Sequence, residues 1–327
     1  MFPVFRRVPV RKSERVGSRG VKGAVFPFLI ALAASPALGQ TGAPQQASNI
    51  LNPNLSVVGN FSGFVSKREG EGETAGLQQK EFEVAFQAAV DPYARAEIFI
   101  GFHPEEVEIE EGYIIFLTLP ASMQIKAGKF RAAVGKFNPL HQPETFFADR
   151  PIAADLFFGE EGLAAPGLSL SLLPPIPWFF LSLDTEVTMN WEDAPAFGEV
   201  EPEGEQIVPG GGKLPLAYTG RLTTYFDLSE SANVMLAVSY AGAPHDRDGK
   251  KWVHLPLGSL TLRWKNPSKA SYRSFTWQAE GMASFREDGA DWKRAFGFYS
   301  YADWQFLRRW HLGARYDFSQ EPENPEQ

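Results

Sequence analysis

The chain has 327 residues, with 39 Asp and Glu against 31 Lys and Arg for a net charge of −8, and it contains no cysteine. An acidic chain is poorly suited to nucleic acid, which is held by clustered Lys and Arg, and the lack of thiols excludes disulfides, thiolate zinc sites and cysteine nucleophiles. After the N-terminus no stretch reaches the 18 consecutive apolar residues of a helical span, so a chain of this kind crosses a membrane, if at all, with strands.

Residues 1–39 begin with Arg6, Arg7, Arg11, Lys12, Arg15, Arg19 and Lys22, continue with an apolar run over 23–34, and end on Ser35-Pro36-Ala37-Leu38-Gly39. A basic head, a short apolar core and small residues before the cut describe a secretory signal peptide, with the mature start at Gln40. The apolar run is shorter than the roughly 20 residues of a membrane helix and is interrupted by Pro27 and Pro36, which disfavours an anchor. Its removal takes away a net +6 and leaves −14.

Residues 40–54 are polar and turn-rich and read as a periplasmic lead-in. A strand over 55–65 and a loop over 66–78 follow. From Lys80 the hydrophobic period is two: Phe82, Val84, Phe86 and Val90 fall on one parity, Glu81, Glu83, Ala85 and Gln87 on the other. After an Asp91-Pro92 turn, Ile98, Ile100 and Phe102 oppose Arg95 and Glu97. A third run sets Val107, Ile109, Tyr113, Ile115, Leu117 and Leu119 against Glu106, Glu108 and Glu110. The strand over 122–134 changes parity between Lys126 and Lys129, and Gly128 at the change predicts a β-bulge.

Residues 135–166 are too apolar for a solvated loop and too interrupted for a strand. Strands over 167–173, 178–190, 215–226, 233–241, 255–265, 272–284, 292–304 and 310–318 complete a set of thirteen, with an acidic, Gly-rich loop over 191–214. Apart from 103–106, every other connection is long. Tight turns at one end and long loops at the other are the mark of an outer-membrane barrel, whereas a sandwich does not segregate loop length. Tyr113, Trp178, Trp191, Tyr240, Trp292, Trp304, Trp310 and Phe318 lie near strand ends, as interfacial girdles require. The predicted fold is therefore all-β, an antiparallel transmembrane β-barrel spanning 55–318.

Glu111-Gly112-Tyr113, Lys126-Ala127-Gly128-Lys129-Phe130-Arg131 and Phe137-Asn138-Pro139 form an aromatic-bearing strand, a turn, and a strand ending in a Gly-Lys-Phe block ahead of a long loop. Over about residues 80–140 this pattern resembles the phosphate-selective porin O and P family. The resemblance implies a porin-like barrel whose third loop folds inward, here residues 135–166, with Phe146, Phe147, Phe157 and Phe158 anchoring it. The chain departs from that family in lacking a dense Arg/Lys ladder and in carrying Glu106, Glu108 and Glu110. A complete barrel would have about 14 to 16 strands, so the chain is expected to be truncated, with residues 319–327 a polar tail or the start of an extracellular loop.

Candidate pore-lining or constriction residues are Glu106, Glu108, Glu110, Lys126, Asp149, Arg150, Asp155, Glu160 and Glu161. A ring of carboxylates would favour cations; a solvated rim without a role in selectivity is the other reading. None of the five histidines has metal-motif spacing. His141 with Glu144 and His245 with Asp246 could bind zinc or act as bases, but read as loop polar groups, so no metal, cofactor or catalytic residue is expected. The expected function is passive diffusion of small hydrophilic solutes or ions across the outer membrane of a Gram-negative cell, with outer-membrane lipid as surroundings and a homotrimer as one possible assembly. The alternative is a non-conducting barrel acting as surface receptor or scaffold.

Overall fold

The computed structural model of the protein describes residues 53–67, 73–141, 145, 147, 149–159, 161–191, 194–197, 215–245, 249–268, 272–289 and 291–322. The expected signal peptide, nearly all of the expected lead-in, most of loop 191–214, and Glu144, Phe146, Glu160 and Asp246 lie outside them. Thirteen antiparallel strands form one sheet in chain order: β1 (Asn54–Lys67), β2 (Glu73–Ala89), β3 (Ala94–Phe102), β4 (Val107–Leu119), β5 (Met123–Arg131), β6 (Ala164–Leu172), β7 (Phe180–Met189), β8 (Leu216–Ser229), β9 (Ala232–Pro244), β10 (Trp252–Lys265), β11 (Ser274–Asp288), β12 (Asp291–Leu307) and β13 (Trp310–Ser319). Among the described residues one α-helix, α1 (Ile152–Phe158), lies between β5 and β6.

Alternation along each strand sorts the side chains between two faces. In β12, Ala295, Gly297, Tyr299 and Tyr301 are buried, while Phe296 and Phe298 are 50% and 38% exposed. Leu168, Val187, Val238 and Tyr316 on other strands are exposed in the same way. A continuous apolar outer face is unfavourable in water and is the lipid-facing surface of a transmembrane β-barrel.

The opposite face wraps around residues 132–163. From inside, this one segment reaches Glu83 on β2, Glu110 and Glu111 on β4, Glu186 on β7, Ser239 on β9, Glu280 on β11, Tyr301 on β12 and Arg315 on β13. Only a curled sheet brings strands so distant in sequence to one segment. Among the described residues β1 and β13 are each paired on one side.

Local chemistry explains the helix. Pro151 precedes it, Asp155 lies in its first turn, and Gly159 closes it at φ 78° with its N–H donating to the Asp155 carbonyl at 2.9 Å. Ala153, Ala154, Phe157 and Phe158 form its buried face against β12 and β13. It fits because Gly297 of β12 has no side chain. A Cβ there would lie 3.0 Å from Ala153 Cβ and 3.0 Å from the Phe157 ring.

Three expectations from the sequence need correction. The parity change near Gly128 is not a bulge in β5, whose pairing with β4 and β6 stays in register through that residue. A bulge lies instead in β4 where it pairs with β3: Phe99 pairs with Glu111 and Ile100 with Ile109, leaving Glu110 as the extra residue. Glu110 and Glu111 are both buried in consequence, and Tyr113 turns inward to donate its hydroxyl to Glu97 at 3.0 Å. Trp191 also leaves the expected girdle: it is buried against Phe197 at a ring separation of 4.9 Å. Finally, the strands run further than expected, so only residues 289–290 separate β11 from β12. The loop asymmetry rests on 132–163 and 190–215.

Gly128 has a different necessity. Its φ is +138°, and a Cβ would strike the Gly112 carbonyl oxygen and lie 2.7 Å from Tyr113 Cα on β4. Gly128→Ala is expected to destabilise the barrel by at least about 2 kcal/mol, from backbone strain and displacement of β4, read as a lower urea midpoint for loss of the heat-modifiable gel band.

Candidate functional site

Backbone N–H and C=O groups buried inside a barrel need partners, since no water replaces them. Segment 132–163 finds them in the wall and in itself. Asn138, fully buried, donates to the Ala132 carbonyl at 2.8 Å and the Leu163 carbonyl at 3.2 Å and accepts from the Leu163 N–H at 2.8 Å, joining the two ends of the segment. The N–H groups of Ala133 and Gly135 donate to Glu186 Oε2 at 2.9 Å and Ser239 Oγ at 2.8 Å, and that of Lys136 donates to Glu280. Phe137, Phe157, Phe158, Leu163, Trp191 and Phe197 add an apolar core inside the long-loop end of the barrel.

The strongest fixation is ionic. Glu81, Glu83, Glu110 and Glu111 are each at most 8% exposed, and two buried cations, Arg131 and His141, enter among them. Arg131 donates through Nη2 to Glu110 at 2.7 Å, through Nη1 to the Glu161 carbonyl at 2.6 Å, and through its backbone N–H to Glu111 at 3.0 Å. His141 places Nδ1 3.0 Å from Glu83 and 3.1 Å from Glu110, and Nε2 2.6 Å from Glu111, with its ring stacked on Phe99. A neutral imidazole has one N–H, so carboxylates at both nitrogens select the imidazolium. Burial disfavours the charged ring, but hydrogen bonds to Glu110, Glu111 and Glu83 outweigh it and push the imidazole up to about 11.

The expected site residues divide. Glu110 and Glu161 converge on Arg131, as does Arg150, which donates through Nε to Asp155 at 2.9 Å and packs over the Phe137 ring. Burial and then the Arg131 charge lower the Arg150 guanidinium below its usual range. Desolvation and then the Glu108 charge raise the Glu161 carboxyl. The others are apart: Glu106 is exposed in the turn before β4, Glu108 pairs with Lys129 at 2.7 Å, and Asp149 is exposed and pairs with Arg315 at 2.9 Å. Glu106, Glu108 and Glu110 are therefore not an open row, because one lies in a turn and two are paired.

Lys126 faces a different part of the interior, its ammonium 4.8 Å from both the Tyr113 and Phe130 ring centroids. Arg221 and Arg263 lie near Lys136, whose ammonium is lowered by burial first and by those two charges next. The sequence reading set Glu81 and Glu83 on a wet strand face and His141 among loop polar groups, gave Arg131 no role, and so did not join these four to the site. Wet-face glutamates on neighbouring strands, at the same end as the long loop, were the available signal.

No family model matches the chain. A protein of Aquifex aeolicus (strain VF5), described as uncharacterized, is 30% identical over 290 residues, which is 80% of this chain and 59% of that protein. The chain thus spans less than two thirds of that relative. Among solved structures, the outer membrane protein OmpT of Vibrio cholerae aligns with a TM-score of 0.44 at 9% identity, covering 85% of this chain and 89% of OmpT. The outer membrane channel DcaP of Acinetobacter baumannii aligns with a TM-score of 0.42 at 13% identity, covering 82% and 91%.

Removing the imidazolium leaves buried carboxylates without their counter-charge. His141→Gln is expected to weaken docking of segment 132–163 by about 3–5 kcal/mol, measured as loss of protease resistance within it while the strands stay folded. The ring's folded value of about 11 exceeds its unfolded value of 6.5. Its stabilisation is therefore complete below pH 6.5 and lost as pH rises through about 11, a slope that His141→Gln removes.

Proposed function

We propose that the protein is an outer-membrane channel for passive diffusion of small hydrophilic solutes or ions, narrowed by segment 132–163. The observation that supports this reading is the pairing of an apolar outer belt with an inward segment pinned to the wall from β2 to β13 above a polar inner face. Toward the short-turn end the inward positions are Gln87, Arg95, Asp184, Arg221, Thr223, Arg263 and Asp303, all half-buried or exposed. Such a lining suits water and ions rather than a packed core.

In this proposal the charge filter has two sides. Glu106, Glu108 and Glu161 make an acidic rim, and Lys126, Lys136, Arg221 and Arg263 make a basic wall. Charges on opposite sides of a narrow passage orient solutes and set ion preference by local potential. Asp149 and Asp155 belong to the same mouth in this reading, as does Glu160, which lies outside the described residues. Membership of the phosphate-selective porin O and P family, on the motifs over 111–139, is part of the proposal.

The test is single-channel recording of the purified protein in a planar bilayer. Stable unit steps are expected. Deleting residues 145–159 should raise unit conductance at least about twofold by widening the passage, and Glu106→Gln with Glu108→Gln should shift the reversal potential in a salt gradient toward anions. A folded barrel that gives no steps with or without the deletion would overturn the channel and favour the surface receptor, to which the packed core at the long-loop end would also be suited.

A further inference from the structure

The ionic cluster around His141 contains four buried carboxylates and two cations, so its charge is not balanced from within. Uncompensated charge in a buried site is costly unless a further cation or proton is supplied. One corner of the cluster shows where. Glu110, 5% exposed, uses Oε2 for Arg131 and His141, but no N–H or hydroxyl group donates to its buried Oε1, and in the absence of a metal a proton held by the Glu81 carboxyl is what bridges Glu81 and Glu110. The Nε2 of His103, in the turn between β3 and β4, is buried without a hydrogen-bond partner. Both atoms point over Gly101 of β3, where a Cβ would lie 2.6 Å from Glu110 Oε1 and 2.9 Å from His103 Nε2. One ligand atom from each of Glu81 on β2, His103 and Glu110 lies within 4.8 Å of the others.

We propose that Glu81, His103 and Glu110 form a site for a divalent transition metal of the Zn²⁺, Mn²⁺ or Co²⁺ kind at the long-loop end of the barrel. The donors are two carboxylate oxygens and one imidazole nitrogen. Mg²⁺ and Ca²⁺ prefer all-oxygen surroundings, whereas an imidazole favours the first-row transition metals. Small side-chain rotations bring such donors to the roughly 2.0–2.2 Å that zinc requires. The absent Cβ of Gly101 leaves room for the ion. Bound there, the metal offsets the excess negative charge beside Arg131 and His141 and ties β2 to both ends of the β3–β4 turn. Glu83 and His141 form a neighbouring group with Glu110, but their atoms are already engaged with one another. The site depends on the fold and not on conduction through the barrel.

The experiment is calorimetric titration of the chelator-treated, refolded protein with Zn²⁺, with heat-modifiable gel mobility confirming the barrel for every variant. One equivalent is expected, and Co²⁺ in its place should give visible absorption bands. His103→Ala, in a half-buried turn, should weaken Zn²⁺ at least about 100-fold without loss of the folded band. Gly101→Ala should weaken it as well, although every donor is kept. Glu110→Gln also strips Arg131 and His141 of a partner, so His103→Ala carries the test if that variant does not fold. Lack of saturable Zn²⁺ binding, binding unchanged in His103→Ala, or displacement of Zn²⁺ by equimolar Mg²⁺ or Ca²⁺ would each overturn the assignment.

Discussion

The imidazolium of His141 between Glu83, Glu110 and Glu111 is the contact on which the interior of this barrel depends. A barrel wall needs no filling to satisfy its own backbone, because each strand pairs with its neighbours. A segment that enters the lumen carries polar backbone with it and must be satisfied by the wall. Here the wall supplies Glu186, Ser239 and Glu280 as acceptors for consecutive stretches of the segment, while His141 and Arg131 return positive charge to the acidic strands β2 and β4. Charge and hydrogen bonding thus fix the register of the segment. The apolar side chains of α1, Trp191 and Phe197 then join the wall residues in one buried core.

This division of labour links structure to the proposed function. The long-loop end is packed and ionically locked, and the short-turn end keeps a wet, polar lining. A passage in such a barrel is set by the fit of the segment against the wall rather than by the strand count alone. The bulge in β4 is central, because it turns Glu110 and Glu111 inward together and gives His141 carboxylates at both ring nitrogens. Without the extra residue, one of the two would face lipid.

Much of the fold is legible from period-two patterning. The thirteen strands, their order and their inward and outward faces follow from alternation such as Phe82 to Phe86 against Glu81 to Gln87. The tight turn at Asp91 is confirmed by the Tyr93 N–H donating to Asp91 Oδ1 at 2.7 Å. The segment over 132–163 carries apolar residues too dense for a solvated loop; of the four phenylalanines named in it, Phe147 packs on Tyr301, Phe157 and Phe158 are buried, and Phe146 lies outside the described residues. Less was legible where the backbone departs from a regular strand. Gly128 at the parity change carries a φ of +138° but no bulge, while the bulge at Glu110 lies in the pairing of β4 with β3. Tyr113 and Trp191 were read as girdle residues because aromatic placement near a strand end does not disclose which face it occupies.

The ionic cluster was hidden for a different reason. Glu81, Glu83, His103, Glu110, Arg131 and His141 come from three strands, a turn and the long segment, so no spacing in sequence joins them. Taken singly, each is a wet-face or loop residue. Their meaning arises only when β2, β3 and β4 are laid side by side and the segment folds over them.

The inward, pinned position of residues 132–163 is tested most directly by hydrogen–deuterium exchange of the folded protein, followed at the amides of Ala133, Gly135, Lys136 and Leu163. Exchange as slow as in the central strands β8 to β11 is expected, since these N–H groups donate to Glu186, Ser239, Glu280 and Asn138. Exchange as fast as in a solvent-exposed loop would contradict the inward docking and, with it, the narrowed lumen.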